Sequence, residues 1–168
     1  MSLASLNGLP INELRQELTK CCGSGKWVEK MCSVFPVPDA VTLFNEAEKK
    51  WFECTEDDWL HAFRHHPKIG DAKSLKGRFP ETGGFSEKEQ AAVKAAPGET
   101  LEALAHANTV YEKKFGFIFI VFASGKSAEE MLSILQARLN NTREDEIKTA
   151  MQEQQKITAL RLKKILDA

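Results

Sequence analysis

The sequence predicts an all-α protein, and three observations support this fold class. Helix start signals recur along the whole chain, apolar residues repeat at helical spacing, and the apolar–polar alternation of a half-buried strand is nearly absent. With 168 residues and a hydrophobic content of 42%, the chain can form one core. We therefore expect one compact multi-helix domain over residues 1–168, with a buried extended segment near 117–123 and a long C-terminal helix.

Three short helices are predicted in the first third of the chain. Pro10 can open the first and Gly23 can close it, whereas the second must end at FPVP, residues 35–38, because proline cannot continue a helix. Asp39 can cap the third helix. The apolar positions expected to face the core are Leu14, Leu18 and Cys21, then Trp27, Val28, Met31 and Cys32, and then Phe44, Ala47 and Trp51.

A fourth helix is predicted to begin at Thr55, in TEDD, and to stop before Pro67. Because the residue before a proline is pushed out of the helical region, His66 should leave the helix in an extended conformation. Residues 71–85 contain three glycines, a proline and many polar residues, and they predict a long loop.

Four more helices are predicted in the second half, from residue 86, over 100–116, from residue 127, and over 142–166. Residues 117–123 lie between the second and third of these. Their composition fits a buried strand, yet the sequence offers no second strand to pair with them. We therefore expect extended or irregular chain that passes through the core.

Charge and hydropathy exclude several classes of protein. The formal net charge of -1 gives no basic field that would collect nucleic acid or an anionic membrane surface. The longest apolar run, residues 115–123, is too short to cross a bilayer, and the first ten residues resemble no signal peptide. Because the ending LDA also differs from a peroxisomal signal, we expect a cytoplasmic protein without nucleic-acid or membrane partners.

The four cysteines, Cys21, Cys22, Cys32 and Cys54, form no CxxC and no regular disulfide framework. We interpret them as reduced thiols that pack as small apolar residues. A zinc site made of Cys32, Cys54 and two histidines is conceivable, but the spacings match no structural zinc pattern. No metal is therefore expected.

An arginine interrupts the apolar face predicted for the last helix. A guanidinium cannot be neutralised and is costly to bury, so an anion, either a protein carboxylate or a ligand, should meet it. An arginine that extends to the surface is the alternative. The predicted inward positions are Ile147, Met151, Gln154, Ile157 or Thr158, Arg161 and Ile165.

Glu89 completes the sequence S-x-x-E that begins at Ser86, and this pattern predicts a capping box, which is a structural role for Glu89. With Gln90 next to it, the same helix start also offers hydroxyl, carboxylate, amide and backbone N–H groups. Such a cluster can hold a polar ligand.

His65 and His66 stand at the predicted end of the fourth helix, where the macrodipole alone favours histidine. Pro67 adds a second interpretation, because a fixed backbone after His66 would hold its imidazole in one place. General acid–base catalysis requires such a placement.

A histidine, a carboxylate and an arginine suit an anionic substrate that gains or loses a proton. The sequence has no G-x-S-x-G, P-loop, G-x-G-x-x-G or HExxH motif and no recognisable Schiff-base lysine. The residues alone therefore indicate cofactor-free chemistry on a small acid.

Four strings occur in order: HPKIG at 66–70, SEKEQ at 86–90, NTVYEKKFGFIFIVFA at 108–123 and ITALRLKKI at 157–165. Together they resemble the 2-oxo-4-hydroxy-4-carboxy-5-ureidoimidazoline (OHCU) decarboxylases of urate degradation, from about residue 60 to the C-terminus. The first 50 residues carry no matching motif. The resemblance implies an all-helical fold and a cofactor-independent decarboxylation, in purine catabolism, that yields the S enantiomer of allantoin.

The resemblance also implies the residues of the site. His66, not His65, corresponds to the catalytic histidine, Glu89 to the catalytic glutamate and Arg161 to the arginine. A small-molecule substrate, no cofactor, no metal and a homodimer are further expectations of the resemblance. The implied substrate-binding residues are Pro67, Ser86, Glu87, Lys88 and Gln90, and the backbone of Phe119, Ile120, Val121, Phe122 and Ala123.

Two other functions remain open from the sequence. One is a non-catalytic helical protein-interaction module in which a partner's carboxylate meets Arg161, and such a scaffold would lose nothing when His66 is replaced. The other is a related lyase or isomerase that acts on another ureido acid, because a shared fold does not fix the substrate.

Overall fold

The computed structural model describes residues 1–69, 88–94 and 96–167. Within these ranges the chain forms nine helices and no strand, so the predicted all-α class is confirmed. The helices are α1 (Leu3–Asn7), α2 (Ile11–Cys21), α3 (Gly25–Cys32), α4 (Ala40–Phe52), α5 (Glu56–Phe63), α6 (Ala91–Lys94), α7 (Gly98–Phe115), α8 (Ala128–Arg138) and α9 (Arg143–Leu166).

The chain divides into two compact units. Unit 1 comprises residues 1–62 and the chain from residue 155 onward, and unit 2 comprises residues 63–154. The expectation that residues 1–168 act as one domain stays a prediction.

Unit 1 has its core among α2, α3 and α4, where α3 packs against both of the others. Trp27 and Trp51 are among its largest fully buried side chains. The indole N–H of Trp27 donates to the carbonyl of Ala47 at 2.9 Å, so its one polar group is satisfied inside the core.

Unit 2 has its core between α7 and α8, with α6 against α8. The aromatic rings of Tyr111, Phe115, Phe117 and Phe119 cluster there, and the ring centroid of Tyr111 lies 4.7 Å from that of Phe115 and 5.4 Å from that of Phe119. Residues 117–123, which we call the core segment, form neither helix nor strand. The predicted buried extended segment is therefore confirmed, and its buried residues are Phe117, Phe119, Ile120, Val121 and Ala123.

Several helix ends follow the predicted chemistry. The Asp39 carboxylate accepts from the backbone N–H of Thr42 at 2.7 Å, which caps α4. Ser127 and Glu130 form the reciprocal capping box of α8. Gly116 ends α7 with φ of 82°, a left-handed conformation that glycine adopts without steric cost.

The predicted face of α9 is also confirmed, because every inward position is buried: Ile147, Met151, Gln154, Ile157, Thr158, Arg161 and Ile165. None of the helices in the described ranges combines the length and apolarity needed to cross a membrane.

Three boundaries differ from the sequence-based expectation. Helix α2 ends at Cys21, before Gly23, because Cys22 already adopts an extended conformation. Helix α7 begins at Gly98, two residues earlier than predicted, directly after Pro97, whose fixed φ suits a helix start. Helix α5 ends at Phe63, earlier than the stop predicted at Pro67. The loop predicted over 71–85 lies outside the described residues.

Candidate active site

His66 lies in the turn that follows α5. The helix ends at Phe63, and the backbone N–H of His66 donates to the Phe63 carbonyl at 3.0 Å. His65 and His66 are both half-buried, and Pro67 is buried. The helix therefore ends earlier than the predicted stop at Pro67, and the extended conformation of His66 stays a prediction.

Two contacts hold the chain on either side of His66. Before it, the ring of Phe63 packs on that of Phe117 with centroids 5.6 Å apart. After it, Lys68 Nζ lies 2.7 Å from Glu112 Oε2. This exposed ion pair adds little stability, but it ties the turn to the last part of α7. His66 is therefore anchored beside the end of α7 and the beginning of the core segment.

Glu89 and Gln90 lie directly before α6. Lys88 and Glu89 are helical, and a turn at Gln90 separates them from α6. Lys88 is exposed and Glu89 half-buried, while Gln90 is only 5% exposed, so its amide is a polar group inside the protein. Ser86 and Glu87 lie outside the described residues, and the capping box predicted from Ser86 to Glu89 stays a prediction.

Side chains from three places bind the backbone of the core segment. Arg138 Nη1 donates to the carbonyl of Ile120 at 2.7 Å. The N–H of Phe122 donates to Glu153 Oε2 at 2.8 Å, and the carbonyl of Phe122 accepts from Lys126 Nζ at 2.7 Å. The protein itself therefore satisfies part of the backbone that the resemblance assigns to the substrate.

Arg138 belongs to a buried polar network in unit 2. Its Nε donates to Glu146 Oε1 at 2.7 Å, and Asn141 Nδ2 donates to Glu146 Oε2 at 2.7 Å. The hydroxyl of Tyr111 also donates to Glu146. Burial raises the pKa of Tyr111, and the hydrogen bond to Glu146 raises it further. The positive charge of the nearby Arg138 acts in the opposite direction. Tyr111 thus stays protonated and remains a donor at neutral pH.

Arg161 lies on α9 in unit 1 and is fully buried, at 0% exposure, so an arginine that extends to the surface is excluded. Its Nη1 donates to the carbonyl of Cys21 at 3.4 Å. Burial raises the pKa of the Cys21 thiol, and the Arg161 charge opposes that rise. Burial raises the pKa of Cys22 to about 12, although hydrogen bonds with Ser24 and Thr158 and the charge of Arg161 act to lower it. Both thiols are therefore neutral neighbours of the guanidinium, as expected for cysteines that pack as small apolar residues.

The predicted site residues are distributed over both units. His66, Glu89, Gln90 and the core segment belong to unit 2, and Arg161 belongs to unit 1. The proximity of the core segment to the His66 turn follows from the Phe63 and Phe117 rings. That His66 and Arg161 serve one substrate stays a prediction.

Sequence reasoning missed the residues that hold the core segment. Arg138 follows the buried Met131 and Leu135 at helical spacing, so the argument that singled out Arg161 would also have found it. Glu153 offers no such signal, because its contact with Phe122 joins residues that are 31 positions apart in the chain.

The described residues define an all-helical class of protein, and they include a half-buried histidine and glutamate, a buried arginine and a buried backbone segment without helix or strand. The family model described as OHCU decarboxylase matches residues 7–163. The chain therefore belongs to the OHCU decarboxylase family.

Curated relatives agree with this family. The chain is 36% identical over 146 residues to the uric acid degradation bifunctional protein TTL of Arabidopsis thaliana, which covers 86% of this chain and 45% of that protein. It is 26% identical over 168 residues to the uric acid degradation bifunctional protein of Bacillus sp. (strain TB-90), covering 98% of this chain and 32% of the relative. The chain thus spans less than half the length of these two relatives.

Solved structures show the same fold. A crystal structure of OHCU decarboxylase in the presence of (S)-allantoin superposes with a TM-score of 0.78 and 35% identity, over 91% of this chain and 99% of that chain. A structure of (S)-allantoin synthase superposes with a TM-score of 0.70 at 18% identity, over 96% of this chain and 53% of that one, which supports the fold alone.

Proposed function

We propose that this chain catalyses the cofactor-independent decarboxylation of OHCU to (S)-allantoin, a step of urate degradation. The observation that carries the proposal is the similarity, over 91% of the chain, to an OHCU decarboxylase solved in the presence of (S)-allantoin. A protein of Halalkalicoccus jeotgali named as this decarboxylase is 26% identical over 113 residues, covering 67% of this chain and 61% of that protein.

The chemistry of the substrate explains why no cofactor is needed. One ring carbon carries both a carboxylate and a hydroxyl group, and a C=N bond adjoins it. When the bond between the ring carbon and the carboxylate breaks, carbon dioxide leaves and the electron pair of that bond stays on the substrate. It forms a C=C bond to the neighbouring carbon, while the nitrogen of the former C=N bond takes up a proton. The resulting enol then loses its hydroxyl proton and gains a proton on the neighbouring carbon.

His66 is the proposed acid and base in this sequence. It takes the hydroxyl proton and supplies a proton to the neighbouring carbon, as an imidazole can do near neutral pH. Its turn is held by the Phe63 and Lys68 contacts, which supports a fixed position for the ring. A proton delivered from one side of the ring produces one enantiomer.

The other proposed roles are binding and orientation. Glu89 fixes the tautomer of the imidazole or binds the N–H groups of the ureido chain, and the buried amide of Gln90 fixes the ring of the substrate. Arg161 binds the carboxylate, and its complete burial supports this role because a guanidinium in a low-dielectric interior favours an anionic partner.

We further propose a cytoplasmic, homodimeric enzyme. Cys21, Cys22, Cys32 and Cys54 are all free thiols, which suits a reducing compartment. The homodimer rests on the family resemblance alone.

The test compares two neighbouring histidines. OHCU is generated from urate with urate oxidase and hydroxyisourate hydrolase, and its disappearance is followed by ultraviolet absorbance with wild type, His66→Ala and His65→Ala. We expect His66→Ala to lose turnover by about 100-fold or more, the usual contribution of acid–base catalysis, while keeping its circular dichroism spectrum.

His65→Ala is the matched control, since His65 is also half-buried and lies in the same turn. We expect it to keep most of the activity. A wild type that does not accelerate OHCU decay contradicts the proposed function, and equal losses in both variants contradict the assignment of His66. Turnover of a different ureido acid in place of OHCU would identify a related lyase.

A further inference from the structure

Between Phe119 and Phe122 side chains hold the core segment along one side, and after Phe122 the Ala123 carbonyl accepts from the Lys126 N–H at 3.1 Å. In an extended chain the N–H and C=O of one residue point to the same side, and successive residues alternate. Ile120 and Phe122 are two residues apart and share a side, which is the side bound by Arg138, Glu153 and Lys126. These side chains take the place that a neighbouring strand would have.

The other side of the core segment presents Phe119 and Val121. Within residues 88–94 and 96–154, no hydrogen bond is made by the N–H or C=O of either residue, although both are buried. Buried backbone groups require a polar partner. A ureido compound carries N–H and C=O groups in alternation, so it can pair with backbone groups of this kind.

The position of Arg138 is tightly set. Arg138 is 7% exposed, and its guanidinium donates to both Glu146 and the Ile120 carbonyl and lies 4.7 Å from the centroid of the Phe119 ring. Because the donors of a guanidinium are fixed in one plane, these bonds fix the direction in which the Ile120 carbonyl points. They also fix the neighbouring peptide groups.

We infer that Arg138 and Glu153 are positioning residues, which hold Ile120 and Phe122 so that the backbone of Phe119 and Val121 faces the ureido substrate. This inference rests on the proposed function. Neither side chain touches the substrate in this scheme. Both act through the backbone that binds it.

The test uses Glu153→Ala, Glu153→Gln and Arg138→Lys. Alanine removes the acceptor of the Phe122 N–H, glutamine keeps an amide oxygen in its place, and lysine cannot reproduce the planar fork of arginine. Lys114→Ala is the control, because Lys114 donates to the Leu139 and Asn141 carbonyls in the same unit and makes no bond to the core segment.

The readouts are KM for OHCU, kcat, the enantiomeric excess of allantoin and the melting temperature. We expect Glu153→Ala and Arg138→Lys to raise KM about tenfold and to lower the enantiomeric excess, since one lost hydrogen bond to a charged group has about this effect. Glu153→Gln should restore most of both values, and Lys114→Ala should change neither.

A merely structural role would lower the melting temperature and the folded, active fraction, but would leave KM and the enantiomeric excess unchanged. Unchanged values in folded Glu153→Ala, with an active wild type, would overturn the inference alone. A wild type without OHCU turnover would overturn the proposed function and this inference with it.

Discussion

Replacing Glu146 with alanine tests the buried ion pair on which the core of unit 2 depends. Glu146 is 0% exposed and accepts hydrogen bonds from Arg138, Asn141 and Tyr111. Without the carboxylate, the guanidinium of Arg138 stays buried with its charge no longer compensated by Glu146. The free energy of unfolding should therefore fall.

The expected magnitude follows from this burial. Removing one partner of a buried ion pair costs about 3–5 kcal/mol. In a domain of this size each kcal/mol lowers the melting temperature by roughly 2–4 °C, so Glu146→Ala should melt about 6–20 °C below wild type.

Thermal and urea unfolding followed by circular dichroism would measure the effect. Glu29→Ala is the control, because the Lys26–Glu29 pair joins exposed side chains 3.1 Å apart and should contribute less than about 1 kcal/mol. A loss for Glu146→Ala no larger than for the control would refute the reasoning that the buried pair stabilises unit 2.

Three further predictions concern cysteines and glycines. Burial raises the pKa of Cys54 from 9.0 to about 11, so the folded protein keeps a proton that the unfolded chain loses. Stability should fall as the pH rises from about 9 to about 11, and Cys54→Ala should make urea midpoints fall less steeply, while the raised pKa values of Cys21 and Cys22 keep part of the fall. Gly116→Ala places a side chain at φ of 82° and should cost about 1 kcal/mol in thermal melts. Gly98→Ala, which meets open space without positive φ, should be neutral or stabilising, and equal effects would contradict the strain argument. Cys32, the half-buried thiol, should react first with a thiol reagent in the native protein, and rapid reaction of Cys22 as well would contradict the assigned burial.

Much of the fold could be predicted because its signals are local. Helical spacing identified the buried face of α9, including Arg161, and the short polar sequences at Asp39 and Ser127 identified helix starts. Local sequence also placed the buried segment between α7 and α8. Such signals depend on residues within one or two turns of each other.

The rest depends on contacts that no local pattern encodes. The early end of α5 follows from a turn in which the His66 N–H bonds to Phe63, whereas proline chemistry only sets the last position at which the helix can stop. The Arg138 and Glu153 contacts join the core segment to distant helices. The catalytic assignment came from the family resemblance and was not available from periodicity or composition.

The stereochemistry of the product tests the account most directly. Allantoin formed from enzymatically generated OHCU would be followed by circular dichroism with and without this protein. We expect a signal of the S enantiomer only when the protein is present, because spontaneous decay yields a racemate. Product without optical activity in both samples would contradict it.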